Sequence, residues 1–181
     1  MMDNLNVLAG QFFGLMALVL CVLAFSSKKD DRLLILLISA NVAFALQFLV
    51  FQSWTAAALT VLVIVRIVLA RRYPGSVPVM LGVLGASGVA SVLTWQGWPD
   101  LPAMIAMVLG TLGMFLLRGI PLRVSLGLAA TFWGLSHLLV GSVGGLMAEA
   151  LVVITNAITI YRLYRLKQQG IDLNDLQPVR K

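Results

Sequence analysis

Apolar positions fill seven long runs along the chain, broken by short polar or glycine-proline stretches. The runs are about Val7–Phe25, Leu33–Phe51, Trp54–Ala70, Val77–Trp95, Leu101–Leu117, Leu122–Val140 and Val143–Leu163. Each approaches the ~20 residues that a helix needs to cross ~30 Å of hydrocarbon. Strict alternation of apolar and polar residues, the mark of a membrane barrel, is absent. The pattern therefore predicts membrane-spanning helices, which satisfy their backbone groups internally.

The softest break is Gln52–Ser53, and charge decides it. With a break there, Lys28, Lys29 and Arg32, then Arg71 and Arg72, then Arg118 and Arg123, then Arg162, Arg165 and Lys167 all fall on one side, with Arg180 and Lys181. Asp3 and Asp100 fall on the other side, which has no lysine or arginine. Fusing the second and third runs would split the first two basic clusters between opposite faces. The positive-inside tendency selects seven spans, N-terminus periplasmic and C-terminus cytoplasmic. Trp54, Trp95 and Trp98 then belong to the outer interface, and Tyr73 and Tyr164 to the inner one.

Composition strengthens this reading. The 181 residues are 60% hydrophobic and 11% charged, against about 25% charged in soluble domains. The net charge of +6 is spread over short loops, which argues for membrane orientation and against nucleic acid. Cys21 and His137 are each the single residue of their type, so a disulfide, a cysteine metal cluster or a multi-histidine metal site is not expected. No cofactor is expected. The first residues carry no basic region before the apolar run, so the first span is expected to stay in the mature protein.

A shift of 90 residues superposes the breaks and the basic ends: Arg72 falls on Arg162, Lys28 on Arg118, Gln47 on His137 and Arg66 on Asn156. This predicts an all-α membrane protein of seven helices, two parallel three-helix bundles joined by an inverting linker helix. The expected units are residues 1–75, the linker 76–97, residues 98–166, and a polar tail, 167–181. Small residues of the linker (Gly82, Gly85, Gly88) and of the last turn (Gly141, Gly144, Gly145) read as points of close helix approach, the latter between spans six and seven.

Polar residues inside the runs are the candidate chemistry, because an ionised group at membrane depth costs about 2.5–3.5 kcal/mol even on permissive scales. Arg66 lies ~7 Å inside the inner boundary by helix rise. It either snorkels to the headgroups or faces a substrate. Glu149 and His137 sit at similar depths near the outer end of antiparallel neighbours, so a hydrogen bond between them is sterically reasonable. They form either a register-fixing polar pair or a switch set by protonation. Asn156 matches Arg66 in depth and is placed facing it. Asn41 reads as a helix–helix hydrogen bond or a substrate contact. Trp133, one turn from His137, either packs or stacks a ligand.

Gly141, Ser142, Gly144, Gly145 and Glu149, followed by Asn156, Arg162, Arg165 and Gly170–Ile171–Asp172, resemble the C-terminal half of the bacterial inner-membrane YgjV family, as do His137 and Arg66. More distantly, the three-plus-one-plus-three plan is similar to the SWEET and PQ-loop transporters. That resemblance implies an asparagine on the last helix of each bundle facing a central site. Asn156 is similar to one of that pair; its counterpart is Arg66, the Pro-Gln dipeptide is missing, and the first and fifth runs lack a mid-helix proline.

The expectation is an inner-membrane small-solute transporter or facilitator, with Arg66, Asn156, Asn41 and Trp133 toward substrate and Glu149 with His137 tuning the site. The alternative is an accessory or sensor protein of the same fold. An enzyme is not expected: no nucleophile–base set, metal cluster or phosphate-cradling loop is present in the sequence. The expected partners are the lipid bilayer and an unknown small solute; oligomeric state is left open.

Overall fold

The computed structural model describes residues 4–26 and 30–168. Lys28, Lys29, Asp3 and the tail from residue 169 onward, including Gly170–Asp172, Arg180 and Lys181, lie outside the described residues. Among the described residues there are seven α-helices: α1 (Asn4–Ser26), α2 (Asp30–Val50), α3 (Trp54–Arg72), α4 (Val77–Thr94), α5 (Leu101–Leu116), α6 (Gly119–Leu139) and α7 (Val143–Gln168). A single 3-10 turn, Trp98–Asp100, precedes α5.

Each boundary has a local cause. The chain does break between the second and third runs: Val50 ends α2, Gln52 takes φ 57°, and Trp54 opens α3. Gly75 (φ 78°) and Gly141 (φ 76°) make the left-handed turns that reverse the chain after α3 and α6. Pro78 and Pro102 fall at the starts of α4 and α5, where a missing N–H has no helical partner to lose.

Six of these helices are long and apolar enough to cross a membrane. Of α2, the described residues Leu34–Val50 give an apolar length of 17 residues.

Apart from α4, the helices form a closed circuit of neighbours: α1, α2, α3, α5, α6, α7 and back to α1. Helix α4 packs against α3 and α5. One apolar core joins Phe48 of α2 to Leu59 and Val63 of α3, Ala106 and Met107 of α5, and Trp133 of α6. A second joins Ala17 and Cys21 of α1 to Ala43 and Phe44 of α2 and Ala148 of α7. The outward faces are apolar as well, with Leu5, Phe12, Val92 and Leu93 each more than 60% exposed, as lipid-facing residues of a membrane bundle are.

Glycine sets how closely α1 and α7 meet. A Cβ on Gly144 would sit 2.5 Å from the Leu15 nitrogen and 2.7 Å from the Gly14 carbonyl oxygen. Gly144 thus packs on α1; its neighbour Gly145 is the one that meets α6. The linker glycines behave otherwise than expected. Gly82, Gly85 and Gly88 have nothing within 4 Å of a built Cβ, because α4 turns Met80, Val83, Ser87 and Ser91 inward instead.

These contrasts give a direct test. Gly144→Ala should destabilise the protein by about 1–3 kcal/mol, since backbone rather than a movable side chain stands in the way. Gly82→Ala should be neutral or stabilising, by up to about 1 kcal/mol, from helix propensity alone. Thermal melting of the two variants in the same detergent checks the ordering.

Candidate functional site

Arg66 does not snorkel. It is only 6% exposed, and its guanidinium turns from α3 onto α5, into the space that a side chain at residue 110 would fill. A Cβ on Gly110 would lie 2.9 Å from Cζ and 3.1 Å from Nη2 of Arg66. The polar contacts of the guanidinium are long. Nη1 stands 3.5 Å from the Met107 carbonyl and 3.6 Å from its sulfur. That carbonyl already accepts the Thr111 hydroxyl at 2.7 Å. Nε of Arg66 is buried without a partner. Gly110 is the element sequence reasoning missed here, since the notch arises only when α3 and α5 meet.

Glu149 is half-buried on α7, with its Cβ 3.5 Å from where one on Gly134 of α6 would stand. Among the described residues no ion pair joins Glu149 to Arg66. The expected Glu149–His137 hydrogen bond is not formed. In the antiparallel register of α6 and α7, Gly145 stands opposite His137 and Glu149 stands opposite Gly134, one turn further along each helix.

His137 faces α2 instead. Its ring stacks on Phe48 (centroids 4.6 Å apart, 19° between planes) and leans on Phe44 (4.9 Å). The ring lies so flat against Gly145 that any side chain there would collide with it. Its Nδ1 is buried without a partner. Trp133 shares this face, 6.0 Å from Phe48, and is buried in the core. Aromatic rings of α2 and α6 therefore pack together in this part of the bundle.

Where α1, α2 and the α6–α7 turn meet, a polar node forms that sequence reasoning did not assign. Gln47 is wholly buried, and its Nε2 donates to Ser142 Oγ. The same hydroxyl accepts the Gly145 N–H at 3.0 Å, and the Ser142 N–H donates to the His137 carbonyl at 2.8 Å. Gln11 of α1 clasps the turn, donating to the Gly141 carbonyl (2.6 Å) and accepting from the Val143 N–H (3.1 Å). Gln47 Oε1 has no partner. The one signal for this node was the superposition of Gln47 on His137 in the 90-residue shift.

The asparagines bond within their own helices. Asn156 Nδ2 donates to the Val152 carbonyl (2.9 Å), and its Oδ1 is buried without a partner. Its Cβ borders Gly127 of α6, and no hydrogen bond joins it to Arg66. Asn41 Nδ2 donates to the Leu37 carbonyl (2.8 Å), so it makes no helix–helix bond through that group. Asp100 is buried at the start of α5, where its Oδ2 accepts Thr55 Oγ1 (2.8 Å) and the Gln96 N–H (2.7 Å).

Two grooves mark the surface. One, of about 660 Å³, is lined by Ile158, Tyr161, Arg162, Arg165 and Leu166 of α7. The other, of about 300 Å³, lies between α3 and α4. Neither is lined by Arg66, Glu149 or Asn156. Among the described residues no cluster of three or more His, Cys, Asp or Glu side chains is placed to hold a metal ion.

Compared with protein-family models, the chain matches Imp-YgjV, described as a bacterial inner membrane protein, over residues 8–167. No curated protein matches. No solved structure matches.

The polar node yields a stability prediction. Ser142→Ala leaves the buried Gln47 amide and the Gly145 N–H without their acceptor and should cost about 1–3 kcal/mol. Asn41→Ala, which removes one half-buried bond within a helix, should cost less than about 1.5 kcal/mol. Melting midpoints of the two variants beside the parent protein decide the order.

Proposed function

The chain belongs to the Imp-YgjV family of bacterial inner membrane proteins, and on that premise we propose that it is a small-solute transporter or facilitator with its site inside the helix circuit. One observation carries this reading. Arg66 Nε, His137 Nδ1, Gln47 Oε1 and Asn156 Oδ1 are all buried without a partner, on four different helices. An unpaired buried polar atom costs about 1–3 kcal/mol by mutational data, and membrane proteins keep such groups chiefly where they meet a solute, an ion or water. In this reading the site lies among α2, α3, α5, α6 and α7, with Arg66 and Asn156 toward the solute and Glu149 tuning it.

All seven helices span the bilayer in this proposal. Helices α1–α3 and α5–α7 are two triplets of like direction, with α4 inverting the chain between them. The matching junctions α1–α7 and α3–α5 support that arrangement. The N-terminus faces the periplasm. Arg71, Arg72, Arg118, Arg123, Arg162 and Arg165 are exposed at helix ends that this topology places in the cytoplasm. Transport then requires one triplet to rock against the other, parting the Phe48–His137 stack.

The second reading is an accessory or sensor protein, favoured by the dry packing of His137 between aromatic rings. Two experiments separate these possibilities. With Cys21 replaced by serine, cysteines introduced at Gln96 and at Tyr73 should react with an impermeant reagent from the periplasmic and cytoplasmic sides respectively; labelling from one side alone refutes the topology. In proteoliposomes screened against a metabolite set, uptake or a ligand-induced rise in melting temperature should be lost in Asn156→Ala and Arg66→Ala. If no solute acts and these variants lose only stability, the accessory reading replaces transport.

A further inference from the structure

We propose that Arg66, held in the notch at Gly110, is a seat for the carboxylate of the solute that the central site takes. This inference rests on the transporter reading above and specifies its substrate class.

Three structural features carry it. First, the guanidinium is enclosed by protein, with Arg66 only 6% exposed, so neither headgroups nor bulk water supply its counter-charge. Second, its hydrogen-bonding capacity is largely unused. Nε has no partner, and Nη1 has only the long approaches to the Met107 carbonyl and sulfur. A planar guanidinium with free donors matches the two oxygens of a carboxylate, which it binds by paired charge-assisted hydrogen bonds. Third, the group is positioned. Gly110 supplies a flat backbone surface, and the carbonyl of Met107, already taken by Thr111, does not compete strongly for the donors.

The structure thus favours carboxylates over uncharged analogues of the same size, because only an anion answers the enclosed guanidinium and its free donors.

The experiment uses the full chain in lipid nanodiscs, with melting followed against acetate, lactate, succinate, acetamide and glycerol, all as sodium-matched solutions. Acetate, lactate or succinate should raise the melting midpoint by about 4 °C at ten times its half-saturating concentration, and acetamide and glycerol not at all. Arg66→Gln should abolish the carboxylate shift, and Arg72→Gln, an equal loss of charge at an exposed helix end, should leave it intact. Arg66→Gln stands to alter folding, so Gly110→Ala is the companion variant. Its added Cβ displaces the tip of a flexible side chain rather than backbone, and it should weaken carboxylate binding about tenfold while the unliganded protein still melts cooperatively.

A shift produced by glycerol or acetamide but by no carboxylate overturns the anion seat and leaves the transporter reading standing. A carboxylate shift that survives both Arg66→Gln and Gly110→Ala overturns the seat as well. If none of the five solutes acts on the parent protein, the seat is overturned, and the wider metabolite screen decides the transporter reading by itself.

Discussion

Lipid tails are as apolar as leucine, so helices in a bilayer gain little hydrophobic energy by meeting one another, and their packing depends on how closely their backbones approach. In this bundle the crossing of α1 over α7 at Gly14 and Gly144 sets that approach. Backbone meets backbone with no room for a side chain on Gly144. The crossing closes the circuit of six helices and brings Gln11 and Gln47 to the α6–α7 turn, where they capture its backbone and the Ser142 hydroxyl. The last turn is therefore fixed by two helices from the beginning of the chain.

The same device recurs at three polar side chains of the bundle. Gly110 makes room for the Arg66 guanidinium, Gly145 for the His137 ring, and Gly134 borders Glu149. Each glycine lies on a neighbouring helix, so each polar group is sheltered by a partner and not by its own segment. Enclosure of this kind excludes water without supplying hydrogen bonds, which is why several buried atoms lack partners. Bonds between the loops gather near the α2–α3, α4–α5 and α6–α7 junctions, where Trp54, Thr55, Gln96 and Asp100 form a second polar cluster.

Helix α4 plays a different part. It packs on α3 and α5 through Met80, Val83, Ser87 and Ser91, and its glycines face outward. Small residues in a membrane helix mark an approach only when something lies opposite. Sequence alone read Gly82, Gly85 and Gly88 as points of contact, because spacing says which residues share a face but not which way that face turns.

Read without coordinates, the chain already showed its seven helices, with ends a few residues from those observed. Apolar length, the turn-forming glycines and the distribution of arginine are local or one-dimensional properties, and they placed the breaks seen among the described residues, including the weak one at Gln52–Ser53. They also marked Arg66, His137, Glu149 and Asn156 as costly residues, since the expense of a polar group in an apolar run is visible without coordinates. Only the tertiary structure decided what those residues touch. Partners depend on helix rotation and register, which an almost uniformly apolar chain does not encode in any periodic pattern. For that reason Arg66 lies on Gly110 instead of reaching the headgroups, His137 turns to Phe48 instead of Glu149, and Asn156 bonds to its own helix. The Gln47–Ser142 node, joining residues 95 positions apart, came into view only when the circuit closed.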